Sequence, residues 1–210
     1  MDEDFAYFLE KFGPPVECRH VPRSSIETFR GKLPDQLLAY WNEHGWCGYA
    51  DGLFWTVDPE AYEPALDAWI GDTPFMERDA YHLIARSAFG HLYFWGERTG
   101  NSLTILAPDA CALYRHGAKE PDTDPDFALR SFFAFLQPKS MDIQGEKERL
   151  FRPAKERWGR LRSDEMYGFV PALALGGAAD AAHVKKVKAV EHLVMLAQLA
   201  ELKTLTTDEG

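Results

Sequence analysis

The chain has 210 residues, 46% hydrophobic and 13% aromatic, which excludes disorder as its main state and leaves room for one large or two small domains. Lys and Arg number 23 against 33 Asp and Glu, a formal charge of −10; this disfavours direct contact with nucleic acid or an anionic membrane and suits a cationic partner, although solubility alone is served equally. No stretch approaches the ~18 apolar residues of a membrane span, and the acidic start Met1-Asp2-Glu3-Asp4 is unlike a secretory leader. Three widely spaced cysteines, Cys18, Cys47 and Cys111, read as thiols of a reducing cytoplasm and not as a disulfide framework.

Phe5, Phe8, Leu9 and Phe12 recur at helical spacing, so the chain opens with an amphipathic helix that Gly13-Pro14-Pro15 ends. A loop is expected through Cys18, His20 and Pro22. Pro34 suits a first helical position; Leu37, Leu38 and Trp41 form the buried face of that helix, and Gly45 follows it. Leu53 to Val57 reads as a buried strand. Asp58-Pro59 pairs an N-cap acceptor with a proline at the next position and starts a helix carrying Tyr62, Leu66, Trp69 and Ile70. Pro64 inside this pattern marks an irregular first turn.

The clearest β signal follows. Tyr81 to Arg86, His91 to Gly96, Ser102 to Ala107 and Cys111 to Tyr114 are short apolar runs separated by Phe89-Gly90, Arg98-Thr99-Gly100-Asn101 and Pro108-Asp109. Consecutive short strands with tight turns imply an antiparallel meander. The polar, turn-rich stretch from Gly117 to Pro125 marks the domain boundary, giving domains 1–116 and 117–210. Asp124-Pro125 then starts a helix to about Leu136, with Phe132, Phe133 and Leu136 facing inward and Phe127 and Leu129 joining them. Pro153 opens a short helix through Trp158. Tyr167 to Gly177 is a buried apolar connector, with Pro171 arguing against a central strand. Ala182 to Leu202 reads as a helix whose wide apolar surface implies burial on two sides or a break near Lys188. The fold class expected is α+β: helices packed on an antiparallel meander, followed by a smaller, mostly helical C-terminal part.

No complete catalytic or cofactor motif is present. Cys18-x-His20 and His44-x-x-Cys47 hold zinc-type ligands, but neither half is a standard knuckle; a buried cysteine and a helix-terminal histidine account for them equally. Cys111 and His116 form a nucleophile pair only on paper, without a local signature. No metal, cofactor or catalytic residue is therefore assigned. The acids are denser. Asp58, Glu60, Glu63 and Asp67 load one helix, and Asp72, Glu77 and Asp79 lie just beyond it; Asp122, Asp124 and Asp126 cluster at the boundary. Most such runs are only solvated faces, but a negative surface also steers a cationic partner. Trp46, Tyr49, Trp55 and Tyr62 are the aromatic candidates beside them, set against ordinary use in the core.

Two sets of residues carry a resemblance. Leu33-Pro34-Asp35-Gln36-Leu37-Leu38-Ala39-Tyr40-Trp41-Asn42-Glu43-His44-Gly45 and Ala85-Arg86-Ser87-Ala88-Phe89-Gly90 resemble the GAD-like domain. Trp158-Gly159-Arg160-Leu161, then Met166 to Gly177, then Glu191-His192-Leu193, resemble the C-terminal domain of immunity proteins for type VI secretion DNase effectors. In that order the two motifs imply a cytoplasmic antitoxin that neutralises a DNase effector by stoichiometric protein–protein inhibition, with no direct nucleic-acid or membrane contact. The family carries no active-site residues to transfer. In light of it, Glu60, Glu63, Asp67, Asp72, Glu77 and Asp79 are the expected partner-binding residues. The alternatives are an enzyme with a cryptic site at Cys18, His20, His44 and Cys47, or a cellular scaffold or regulator sharing the fold. Trp158, Tyr167, Phe169, Leu173 and Leu175 are expected in the core, with His192 beside them.

Overall fold

The computed structural model describes residues 2–116 and 124–208; most of the expected boundary, Asp122 included, lies outside the described residues. In chain order, α1 (Glu3–Phe12), β1 (Val16–Arg19), α2 (Arg23–Phe29), α3 (Asp35–His44), β2 (Trp46–Tyr49) and β3 (Phe54–Thr56) lead to α4 (Glu63–Ile70) and α5 (Pro74–Arg78). The meander is β4 (Tyr81–Ser87), β5 (His91–Gly96), β6 (Gly100–Leu106) and β7 (Cys111–His116). Then come α6 (Pro125–Phe135), α7 (Pro138–Met141), α8 (Phe151–Trp158), β8 (Glu165–Phe169), β9 (Val184–Lys188), α9 (Ala189–Ala197) and β10 (Lys203–Asp208).

The first helix forms as its spacing requires. Phe5, Phe8 and Phe12 are buried, and the Asp2 carboxylate accepts from the Phe5 N–H at 3.0 Å. Asp58-Pro59 starts a 3-10 turn over Glu60–Tyr62 before α4 proper, with Pro64 accommodated in the first turn of α4. The four meander strands fall where expected. β1 and α2 occupy the expected loop: β1 is a short, solvent-facing edge strand with no apolar alternation to betray it. The expected helix over 182–202 is corrected. Its first part, Val184–Lys188, is β9, paired antiparallel with β8, and α9 starts at Ala189, at the break the breadth of the apolar surface had implied.

One eight-stranded sheet organises the molecule, in the order β1-β2-β3-β4-β5-β6-β7-β10. All pairings are antiparallel except the last, where β10 runs parallel to β7 with Lys203 opposite Cys111 and Leu205 opposite Leu113. A parallel neighbour requires a long crossover. Here the crossover is the whole C-terminal segment from α6 to α9, so both ends of the chain contribute to one sheet.

Side-chain alternation divides the sheet into two faces. Over one, Phe5 stacks on Tyr40 at 4.2 Å, Phe133 meets Phe5 and Phe54, and Phe132 meets Tyr93 at 5.8 Å, so α1, α3 and α6 form the covering layer. Lys11 binds that layer together by donating to the Ala134 and Leu136 carbonyls at the end of α6. The other face carries Trp55, Arg86 and Leu92 and lies beneath the turn before α4 and the C-terminal hairpin.

The two halves join at Arg86. Its guanidinium is fully buried and donates to the Tyr62 hydroxyl at 2.7 Å and to the Ser163 and Glu165 carbonyls at 2.9 and 2.8 Å, lying over the Trp55 ring at 5.3 Å. Next to it the Tyr167 N–H donates to the Ala88 carbonyl at 2.8 Å, and Phe89 stacks on Phe169 at 5.9 Å. Gly90, at φ +91°, turns the chain there; a β-carbon would press on Met166 at 3.0 Å and Leu193 at 3.3 Å. A β-carbon at Gly168 would run into the His192 ring. The two sequence motifs thus pack against each other. Tyr167, Phe169 and His192 are buried as expected, and Trp158 and Leu173 are half-buried. Leu175 is instead 59% exposed, while Ala172 is buried.

Two stability predictions follow from this packing. Phe169→Ala should cost about 3–5 kcal/mol, the range for a buried phenylalanine, read as a lower urea midpoint. The pH dependence should come from buried histidine. His91 is 9% exposed, and burial pushes its pKa down from 6.5 to about 4; burial also lowers His192. The unfolded chain binds these protons more readily, so their stabilisation is complete above pH 6.5 and is lost as pH falls toward about 4. For His91 the loss is on the order of 3 kcal/mol. Urea midpoints measured from pH 7.5 downward should fall in this window, and the slope should flatten in His91→Gln/His192→Gln.

Candidate protein-binding surface

Five of the six expected partner-binding acids project from the α4–α5 edge into solvent: Glu60, Glu63, Asp67, Asp72 and Glu77. None of the five forms an ion pair among the described residues. Glu60, Glu63 and Asp67 rim a groove of ≈ 340 Å³ whose floor includes Phe29, Leu66 and Tyr81. Lys32 and His82 stand on its other side, His82 already paired with Glu97 at 2.9 Å. The arrangement is a band of uncompensated negative charge beside an apolar recess.

Asp79 does not belong to that band. It is 4% exposed, and its carboxylate accepts from the backbone N–H of Ala80 at 2.9 Å, Arg98 at 3.1 Å and Thr99 at 2.8 Å, and from the Thr99 hydroxyl at 2.7 Å. The Arg98 guanidinium lies at 3.6 Å. This acid pins the β5–β6 turn and is consumed by it. The sequence places it next to surface acids; only the pairing of β4 with β5 brings the turn N–H groups around it. Trp46, Tyr49, Trp55 and Tyr62 are all core residues.

The cysteine set is also corrected. Cys18 and Cys47 are joined as a disulfide. The antiparallel pairing of β1 and β2, with Val16 opposite Gly48 and Arg19 opposite Trp46, brings together two positions the sequence separates widely. Both sulfurs of the zinc-type set are thereby used. His44 stacks on Phe5 at 5.0 Å, and no three His, Cys, Asp or Glu side chains converge among the described residues. Cys111 and His116 sit at opposite ends of β7, five residues apart in extended chain, about 16 Å. Burial first, and then Asp109, push the Cys111 thiol up, away from the reactive thiolate.

On α6 the expected inward face is right for Leu129, Phe132 and Phe133 and wrong for Phe127, which is 56% exposed. Phe127, Ser131 and Phe135 form a separate stripe at i, i+4 and i+8, and line a second groove of ≈ 420 Å³ with Thr104 and Arg115. The sequence reading missed Phe135; the helical spacing was the signal for it.

No helix among the described residues is long and apolar enough to cross a membrane. Residues 3–109 match the GAD-like domain family, and residues 126–200 match the C-terminal region of T6SS immunity protein Tdi1, where T6SS is the type VI secretion system. Among solved structures, the crystal structure of Atu4351 from Agrobacterium tumefaciens is similar, with a TM-score of 0.86 at 21% identity over 99% of this chain and 93% of that one. Likeness at that identity shows a shared fold, including the α+β architecture with one mostly antiparallel sheet. The GAD-like match fills half the length, so the chain belongs to the GAD-like domain family, with a region similar to the C-terminal part of T6SS immunity protein Tdi1 following it.

Proposed function

We propose that the protein is a cytoplasmic antitoxin that binds the DNase domain of its cognate type VI effector and neutralises it stoichiometrically, without catalysing a reaction. In this reading the GAD-like part over 1–116 and the immunity part over 117–210 act as one binding body. The observation that carries it is the band of exposed, unpaired carboxylates at Glu60, Glu63, Asp67, Asp72 and Glu77 in a chain of net charge −10. A DNase must present cations to hold the phosphate backbone, and carboxylates offered to that surface compete for them. An antitoxin also has to capture its target quickly; opposite fields raise association toward ~10⁸ M⁻¹s⁻¹. In the cytoplasm the Cys18–Cys47 bond faces a reducing pool, with Cys18 at the surface.

The test uses a type VI DNase effector whose toxicity is relieved by co-expression of this protein, inactivated in its nuclease site. Glu63→Lys/Asp67→Lys/Glu77→Lys should slow association by about tenfold at low salt, with the difference closing at high salt. Unchanged rates at both salts, with unchanged protection of cells, would reduce the band to a solvated face. Asp79→Ala is the internal control. It should lower stability by about 2–4 kcal/mol through the lost turn bonds, yet leave the association rate of the folded protein as it is.

A further inference from the structure

β1 is the least anchored strand of the sheet. It lies at the outer edge and pairs only with β2, with Val16 opposite Gly48 and Arg19 opposite Trp46. From Gly13 to His20 no side chain is buried; the chain is fixed in the core by Phe12 before that stretch and by Val21 after it. The stretch buries little apolar surface, so the hydrophobic effect does little to keep it on the sheet. Arg19 reaches Asp58 at 4.0 Å and lies over the Trp46 ring at 5.6 Å, but its side chain is half exposed, and such surface contacts contribute little. The remaining tie is covalent, the Cys18–Cys47 bond.

The two sulfurs of that bond are placed differently. Cys47 is wholly buried, at 0% exposure, whereas Cys18 is exposed. A thiol from solvent can therefore reach the bond only at Cys18. The attacking thiolate forms a new S–S bond with Cys18 Sγ, the Cys18–Cys47 bond breaks, and its electron pair leaves on Cys47 Sγ, which takes up a proton. The Cys47 thiol finds an acceptor in place: the His44 carbonyl oxygen lies 3.0 Å from its sulfur. A second thiolate then attacks the sulfur of the first on the mixed disulfide, leaving Cys18 as a thiol and releasing the low-molecular-weight disulfide. Two solvent thiols are oxidised and one protein disulfide is reduced.

We propose that Cys18 is a thiol-exchange site and that the Cys18–Cys47 bond is a reversible latch on β1. Opening the bond frees residues 13–20 from the sheet, and closing it docks them again. Phe12 and Val21 stay in the core as the fixed ends, so the released unit is bounded and the rest of the sheet keeps its contacts. Opening bares the outer edge of β2, whose four side chains, Trp46 to Tyr49, are all buried. A bond that exchanges in this way suits a reducing compartment, where permanent staples are rare. The latch goes beyond the antitoxin reading and does not rest on it: a chain that binds no effector would keep the same chemistry at Cys18.

The experiment incubates the folded full chain with reduced glutathione in the absence of denaturant. Mass spectrometry maps the modified cysteine, and hydrogen exchange of residues 13–20 is followed against that of β4 to β6. The expected result is a glutathione adduct at Cys18 and none at Cys47, then loss of the protein disulfide. Exchange over residues 13–20 should quicken by about 100-fold while β4 to β6 stay protected. Oxidised glutathione should restore both the bond and the slow exchange. Cys18→Ser should exchange at the fast rate in either redox buffer. A bond that glutathione opens only in urea is a permanent staple and overturns the proposal. A bond that opens in the folded chain while exchange over residues 13–20 stays slow also overturns it, since β1 is then held by its backbone pairing alone. An adduct at Cys47 would place the attack at the other sulfur and overturn the assignment of the site.

Discussion

A buried guanidinium with no carboxylate paired to it among the described residues joins the two halves of this protein. Removing a charge from water costs several kcal/mol even after relaxation, and Arg86 offsets that cost only because four oxygens and an aromatic face converge on it. One is the neighbouring Ser87 carbonyl; the other three come from distant parts of the chain, Tyr62 from the turn before α4, Ser163 and Glu165 from just before β8 and its first residue. None is optional to the others, since each satisfied bond lowers the cost of burying the same cation. The arrangement specifies how the C-terminal hairpin sits on the sheet far more narrowly than apolar contact alone would. Gly90 and Gly168 extend the constraint by admitting side chains of the other half where a β-carbon would exclude them.

The same junction explains what could be read from the sequence. The meander was legible because each strand is a short apolar run between turn residues, which is a local signal. The helix starts at Asp58 and Asp124 were legible for the same reason. The C-terminal region was not: Val184-Lys185-Lys186-Val187-Lys188 fits a helical stripe, and becomes a strand because β8 offers it a partner. Leu175 looked like core because it follows an apolar run, yet the bend after Phe169 carries it outside. The disulfide, the burial of Asp79 and the role of Arg86 were hidden for a shared reason. Each depends on two strands or two segments meeting, and a single-sequence pattern holds only neighbours. Of the six acids proposed for the partner, five lie on the surface, and the sixth was separated from them only by its tertiary contacts.

Charge and apolar surface are divided between the two sides of the sheet. The acids gather on the side of α4 and α5, and the exposed phenylalanines stand on the side of α6. A charged band is cheap to keep in water. Exposed aromatic surface is not, and α6 keeps it to Phe127 and Phe135 by burying Leu129, Phe132 and Phe133 completely or nearly so. The exposed acids and the exposed phenylalanines therefore stand on opposite sides of the sheet, and changes at one should have little effect on the other.

β10 gives the sheet its final strand, and it is drawn from the last residues of the chain described. During synthesis β1 to β7 leave the ribosome first and can pair in order, since each antiparallel partner is already present. The far edge of β7 stays open until the whole crossover has followed and β10 arrives to cover it. Order of emergence thus sets order of completion: the sheet is closed from its beginning outward, and a chain stopped short of Lys203 would carry an unpaired edge at β7.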